Sequence, residues 1–284
     1  MRGTVRRRLD AVSFFRDGVP VRFARFVHAG GVSFGVVEGD AGAGQTIAEI
    51  ASLPFEQVRF TGQRWALPDV RLLAPIFSSK VIGVGRNYAD HAAEMGNEVP
   101  AEPLIFIKPS TTVIGPRDAI RLPPQSRQVE HEAELAVVIG ASGARRVDRA
   151  GAERAIFGYT CANDVTARDL QKQDKTWTRG KGFDSFCPLG PWIVTDLDVS
   201  DLEVRCEVGR DPEAMEVRQL GRTKDMIFDV PTLVSYVSHV MTLLPGDVIL
   251  TGTPAGVGPI QAGETVSVTV QGIGSIANPV VSLD

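Results

Sequence analysis

The segment Glu130-His131-Glu132-Ala133-Glu134 sets three carboxylates at alternate positions just before an apolar run, Leu135-Ala136-Val137-Val138-Ile139. Side chains two residues apart on a strand share a face, so the glutamates line one side and His131 points away. Carboxylates crowded on one face repel each other unless a cation neutralises them. All-oxygen ligation favours Mg²⁺, Mn²⁺ or Ca²⁺ over zinc. The competing interpretation is a solvated acidic edge strand. Against it stands Leu135, because the acids lie where the strand enters a core.

A second group is Asn163-Asp164-Val165-Thr166-Ala167-Arg168-Asp169-Leu170-Gln171. As a helix it puts Asp164, Arg168 and Gln171 on one face, at i, i+4 and i+7. Asp164 is then either an N-cap or a third carboxylate for a metal, and Arg168 with Gln171 either a surface pair or an anion-binding pair. Arginines outnumber lysines by 24 to 6, which draws attention to Lys181, flanked by Gly180 and Gly182. A lysine on a tight loop can set a point charge against a substrate oxygen, or simply be a surface turn residue. The loop Thr251-Gly252-Thr253-Pro254-Ala255-Gly256 offers backbone N–H groups and hydroxyls that can hold a carboxylate, or is a plain hairpin connection.

Asn87 to Gly96 reads as a short capped helix, with Asn87 as N-cap and Gly96 closing the C-terminus. His91 and Glu94 fall at i and i+3. A carboxylate beside an imidazole orients it and raises its basicity, as a general base for water requires. The alternative is a surface ion pair. Such a short helix lacks independent stability, which suits a mobile lid.

The elements that must position these groups are mostly strands. Val81–Val84, Ile105–Ile107, Leu135–Ile139, Trp192–Val194, Val248–Leu250 and Val266–Val270 are short apolar runs bounded by Gly, Pro or Asp. Helical patterns cover Tyr88–Met95, Arg149–Ala155, Val165–Gln173 and Val230–Met241. Strands and helices do not alternate, which argues against a doubly wound parallel sheet. Towards the N-terminus, Phe23–Val27 and Val32–Val37 form a hairpin about Gly30-Gly31. A polar stretch, Ile47–Ala51 and Glu56–Gln63, then leads to Leu67-Pro68 and Ala74-Pro75, where a small N-terminal domain (21–74) gives way to a larger one (75–284). Residues 1–20, with the basic cluster Arg2, Arg6, Arg7 and Arg8, read as an extension ahead of both.

Composition narrows the partners. Thirty Lys and Arg against 34 Asp and Glu give a net charge of −4, which argues against nucleic acid or an anionic membrane surface. No apolar run reaches the ~18 residues of a membrane span. Cys161, Cys187 and Cys206 are odd in number and widely spaced, so neither a disulfide framework nor a zinc site is expected. No secretory signal is evident, and the expected location is the cytoplasm. Gly83-Val84-Gly85 has Tyr88 where a dinucleotide fingerprint has its third glycine, and neither a phosphate loop nor a nucleophile elbow occurs.

Taken together these segments resemble the fumarylacetoacetate hydrolase family, from about Lys80 to the C-terminus. The resemblance rests on ordered motifs: Gly85-Arg86-Asn87-Tyr88 with His91 and Glu94, Pro103–Pro109, Glu132–Leu135, Gly158-Tyr159 with Asn163–Asp169, Gly180–Asp184, Leu189–Trp192 and Thr251–Pro254. It implies a β-rich α/β fold, a mixed sandwich or roll, with a small N-terminal α+β domain, assembled as a homodimer. It implies Mg²⁺ or Mn²⁺ on Glu132, Glu134 and Asp164, with Lys181 against the substrate oxygen that becomes an enolate. Arg168, Gln171 and Thr253 would take the acid end of the substrate, and His91 with Glu94 would form the lid dyad that activates water. The expected substrate is a small oxo acid, and the expected reaction is hydrolysis of a carbon–carbon bond in an acylpyruvate or β-diketo acid. Isomerisation of a hydroxy-dienedioate and decarboxylation of oxaloacetate use the same constellation. A non-catalytic ligand-binding protein on this fold is the alternative from a different class.

Overall fold

The computed structural model describes residues 19–39, 44–94, 96 and 98–283. The basic cluster near the N-terminus and Met95 lie outside the described residues, so the expectations placed on them have no structural counterpart here.

The acidic segment enters the fold at its centre. The strand Ala133–Ile139 is buried at every position. Leu135, Val137 and Ile139 pack on one side against a core shared with a second sheet and a helix, while Ala136 and Val138 join a separate core on the other. Burial on both faces explains why the sequence shows a continuous apolar run there and no alternation.

This strand lies within a twelve-stranded sheet. From one edge the order runs Phe60–Ala66, Thr46–Ile50, Gly31–Glu38, Arg22–His28, Cys187–Val194 and Ile156–Asn163. It continues through Ala133–Ile139, Val248–Leu250 and Val81–Gly85 to the opposite edge, Leu104–Lys108. Pairing is mainly antiparallel, with a parallel step between Val248–Leu250 and Val81–Gly85. A five-stranded sheet including Glu203–Gly209, Glu216–Arg222 and Thr265–Val270 covers one face. A small three-stranded sheet joins Val129–His131 to Thr166–Ala167 and Gly258–Pro259, tying three site-bearing segments together.

The N-terminal hairpin forms as expected, Arg22–His28 with Gly31–Glu38. The stretch read as polar connection instead forms two more strands, Thr46–Ile50 and Phe60–Ala66. Phe60–Ala66 is an edge strand exposed at nearly every position, so its pairing is carried by backbone hydrogen bonds and leaves no apolar trace. The α+β expectation for this part is also corrected: its described residues hold strands and one 3₁₀ turn, Leu67–Asp69. Its hairpin extends the main sheet through Phe23 opposite Ile193. Val21, Phe23, Val36 and Ile50 share one core with Ala136, Val138, Leu189 and Leu250.

Five α-helices occur among the described residues: α1 (Ala89–Glu94), α2 (Arg149–Ala155), α3 (Arg168–Gln173), α4 (Thr178–Lys181) and α5 (Val230–Val240). In α5, Val230, Leu233, Val234 and Val237 form the buried stripe at i, i+3, i+4 and i+7, and the Asp229 carboxylate caps its N-terminus. Two expectations change. The helix expected from Val165 starts at Arg168, because Thr166 and Ala167 pair with Val129–Glu130 as a strand. Lys181 ends the short helix α4, not a loop, and is buried.

Candidate metal centre and active site

The strand ladder positions the acids. Glu132 N–H donates to the Asn163 side chain, and Asp164 N–H donates to the Glu132 carbonyl, which locks the ends of two adjacent strands together. Glu132, Glu134 and Asp164 then present carboxylate oxygens that all lie within 4.8 Å of one another, and all three residues are buried. Glu130, on the same side of the segment, is drawn instead to Arg168. His131 points the other way, its Nδ1 2.9 Å from Gln219 Oε1.

Three buried cations face these acids. Lys108 Nζ lies 2.5 Å from Asp164 Oδ1, and Lys181 Nζ lies 2.5 Å from Asp164 Oδ2 and 2.7 Å from Glu132 Oε2. Arg168 donates through Nε to Glu130 at 2.7 Å, through Nη2 to Glu132 and through Nη1 to Gln171 at 2.6 Å. Burial alone would raise the Glu132 carboxyl, but Lys181 and Arg168 outweigh it and hold the group well below the usual carboxylate range. Glu134 goes the opposite way: burial, then the charges of Asp164 and Glu132, push it well above that range. Its hydrogen-bond donor is the Gly252 amide at 2.5 Å.

The donor set fits a divalent cation. Three mutually repelling, buried carboxylates with oxygen atoms alone to offer suit a hard cation, and a 2+ charge would offset the burial and repulsion that raise Glu134. Glu132, Glu134 and Asp164 are the residues that would hold it.

The loop after Val248–Leu250 does hold carboxylates, but they belong to the protein. The Gly252 amide binds Glu134, and the Gly256 amide binds Glu94 at 3.0 Å. Both glycines have positive φ, +98° and +97°, and a Cβ on Gly256 would come within 2.2 Å of the Arg218 carbonyl oxygen. The Thr253 hydroxyl donates to the Ala133 carbonyl and accepts from Gln219 Nε2. Its proton is therefore engaged within the fold, and it reaches a ligand only as an acceptor. Gln171 accepts from Arg168 and keeps its amide N–H₂ for a ligand oxygen.

Above the acids, α1 carries the dyad. His91 Nδ1 lies 3.1 Å from Glu94 Oε2, leaving Nε2 as the nitrogen available for a proton from the cavity. Asn87 does not cap this helix. Its amide donates to the Phe228 and Thr251 carbonyls and its oxygen accepts from Phe228 N–H, so it pins the start of α1 to two distant segments.

A cavity of about 220 Å³ collects His91, Glu132, Glu134, Asp164, Arg168, Gln171, Lys181 and Thr253. Glu94 stands behind His91. Phe106 and Trp177 complete the wall, their rings 5.3 Å apart and edge to face. They fit because Gly83 and Gly85 are glycines: a Cβ there would fall 2.1 Å from Phe106 and 2.5 Å from Trp177. The Gly83-Val84-Gly85 pair thus makes room for rings, not for a phosphate.

Sequence reasoning missed Lys108 and Gln219. Lys108 had a faint signal, a lone cation closing the apolar strand Leu104–Lys108. Gln219 had none. It is the buried member of an otherwise largely exposed strand, yet it binds His131, Ala133, Thr253 and Pro254 at once.

Comparison with known proteins agrees with this geometry. Residues 80–281 match the family model described as fumarylacetoacetate (FAA) hydrolase C-terminal, and residues 21–75 match the one described as Rv2993c-like, N-terminal. Protein Rv2993c of Mycobacterium tuberculosis is 53% identical over 266 residues, 92% of this chain and 98% of that protein. The mitochondrial oxaloacetate tautomerase FAHD2A of Homo sapiens is 43% identical over 226 residues, 75% of this chain and 70% of that one. Among solved structures, a 5-carboxymethyl-2-hydroxymuconate delta-isomerase from Mycobacterium smegmatis superimposes with a TM-score of 0.84 at 54% identity, covering 92% of this chain and 100% of that one. A fumarylpyruvate hydrolase from Pseudomonas aeruginosa, in complex with Mn²⁺ and pyruvate, gives a TM-score of 0.67 at 33% identity, covering 75% and 92%. With a family model spanning its last two hundred residues and the acid cluster, buried lysines and His–Glu pair assembled on one cavity, the chain belongs to the fumarylacetoacetate hydrolase family.

Proposed function

We propose that this protein hydrolyses a carbon–carbon bond in an enolisable 2-oxo acid, a short acylpyruvate or β-diketo acid, with Mg²⁺ or Mn²⁺ on Glu132, Glu134 and Asp164. The observation that carries this is the His91–Glu94 pair, held over the acid cluster by the Gly256 amide. An oriented imidazole on the cavity wall is what a water nucleophile needs, and a reaction without water would leave it without that task.

When bound, the divalent ion supplies Lewis-acid polarisation of the 2-oxo acid. The rest follows from the chain. His91 Nε2 takes a proton from water while Glu94 holds the ring, and the resulting hydroxide attacks the distal carbonyl carbon. The bond between that carbon and the central methylene then breaks, its electron pair passing into the pyruvate enolate. Lys181 has two N–H groups on Glu132 and Asp164 and a third to set against the enolate oxygen. The imidazolium returns its proton to the methylene carbon, and pyruvate and a carboxylic acid leave. Arg168 acts by fixing Glu130, Glu132 and Gln171, and the Gln171 amide is the donor for the substrate carboxylate.

In a second reading the same enolate is isomerised or formed by decarboxylation, and the tautomerase and isomerase names borne by two of the similar proteins favour the isomerisation. One assay separates them: loss of the ultraviolet enol band of acetylpyruvate with Mg²⁺ against an EDTA control. Metal-dependent loss with stoichiometric pyruvate supports hydrolysis, and His91→Ala should slow it about 10²–10⁴-fold. Loss of the band without pyruvate, or turnover of oxaloacetate alone, supports the second reading. No turnover of either, with metal bound, would indicate a binding protein.

A further inference from the structure

Two cations at the rim of the active-site cavity have no carboxylate partner among the described residues. Arg86 and Lys172 line the cavity with the acid cluster, yet among the described residues neither makes an ion pair or a side-chain hydrogen bond. Their neighbours are otherwise paired: Arg168 holds Glu130 and Glu132, and Arg179 holds Asp174.

Arg86 is also held in an unusual conformation. Its φ of +59° lies in the left-handed region that a β-carbon disfavours. The surroundings enforce it. On one side Trp177 packs into the space over Gly85, and on the other Asn87 is clamped to Phe228 and Thr251. That backbone holds the Arg86 guanidinium at the cavity rim, without a protein partner among the described residues, where a ligand can reach it.

Charge balance indicates which ligand. Counted fully ionised, the state that ligation of a divalent ion requires of Glu134, the acids Glu130, Glu132, Glu134 and Asp164 face Lys108, Arg168 and Lys181, a formal charge of −1 for the buried shell. A divalent ion makes it one charge positive, which the carboxylate of a 2-oxo acid cancels. A second carboxylate finds no counter-charge in that shell. Arg86 and Lys172 supply it at the rim.

Resting on the function proposed above, we propose that Arg86, assisted by Lys172, binds a distal carboxylate of the substrate, so that the enzyme selects dicarboxylic over monocarboxylic 2-oxo acids. The guanidinium fork takes a carboxylate through two parallel hydrogen bonds, which a methyl group in its place cannot accept.

The test uses the Mg²⁺-loaded protein and calorimetric dissociation constants for 2-oxoglutarate and 2-oxopentanoate, which differ by a terminal carboxylate against a methyl. The expected result is a preference of about tenfold or more for 2-oxoglutarate, close to none in Arg86→Gln, and an intermediate value in Arg86→Lys. Equal affinities in the unaltered protein, or an unchanged ratio in Arg86→Gln, would overturn the proposal. If Arg86→Gln does not fold, Lys172→Gln and a salt titration of the unaltered protein replace it. A ratio that falls with ionic strength supports the clamp, and one indifferent to salt and to Lys172 overturns it. Pyruvate release from acetylpyruvate tests the reaction separately. Turnover with equal affinities removes the clamp alone, and a preserved ratio without turnover removes the hydrolysis alone.

Discussion

Lys108 Nζ sits 2.5 Å from Asp164 Oδ1, and both side chains are excluded from solvent. The lysine ends one strand and the aspartate follows another, so the pair fixes one acid of the cluster from a segment 56 residues away. Removing one partner of a buried pair leaves an uncompensated charge, which typically costs about 3–5 kcal/mol. Lys108→Met should therefore destabilise the metal-free protein by an amount of that order in urea unfolding. A loss below 1 kcal/mol would mean that Lys181 alone suffices for Asp164.

Glu134 is a proposed ligand with little competing role. Its carboxylate takes the Gly252 amide and is pushed well above its usual range by burial and by Asp164 and Glu132. Glu134→Gln keeps shape and volume, relieves that repulsion, and removes an anionic donor. The metal-free variant should be as stable as the parent or more so, while affinity for Mn²⁺ falls about a hundredfold or more, since changes behind the ligands alone cost 10–100-fold. Calorimetric titration measures the affinity, and retention of it would place the ion elsewhere.

Gly256 connects the loop to the dyad. Its amide donates to Glu94, its φ is +97°, and a Cβ would meet the Arg218 carbonyl oxygen at 2.2 Å. Gly256→Ala should lose about 1–3 kcal/mol of stability from the strained backbone. Turnover should fall as Glu94 loses its anchor, with Mn²⁺ affinity held within a few-fold. Loss of affinity and turnover together would show that the loop moves as one piece and takes Gly252 with it.

Asp229 gives the pH prediction. Its hydrogen bonds with Arg149, at 2.9 and 2.6 Å, outweigh partial burial and, with Thr232 added, bring its pKa from 3.8 down to about 2. A depressed acid contributes stability above its unfolded value, and loses it as pH falls through its folded value. Asp229→Asn keeps an N-cap for α5 but not the ion pair. The parent should be slightly more stable than the variant at pH 6, and the difference should vanish between pH 3.8 and about 2. Urea unfolding of both proteins across that window measures it, and a constant difference would assign the effect to the cap.

The local sequence was enough for groups that act through their nearest neighbours in the chain. Alternation along an extended segment brings Glu132 and Glu134 to one site, and an i, i+3 step brings His91 to Glu94. Arg168 and Gln171 meet for the same reason, although their helix begins three residues later than its pattern suggested. Continuous apolar runs marked the buried strands, because both faces of the sheet are covered.

Partners across the sheet carry no such periodic mark. Gly256 reaches Glu94 over 162 residues, and Gln219 reaches Ala133 over 86. Both contacts depend on strand order, which the chain settles only when its long-range pairings close. The same holds for the N-terminal hairpin, whose alternation defines two strands but not that Phe23 lies opposite Ile193 in the main sheet. Residue type and spacing therefore determined which groups can ligate and which can move a proton. Tertiary structure decided which are already engaged, as with Thr253 and Arg168, and which stand free, as with Arg86, because a hydrogen-bond partner is a property of position in space and not of position in the chain.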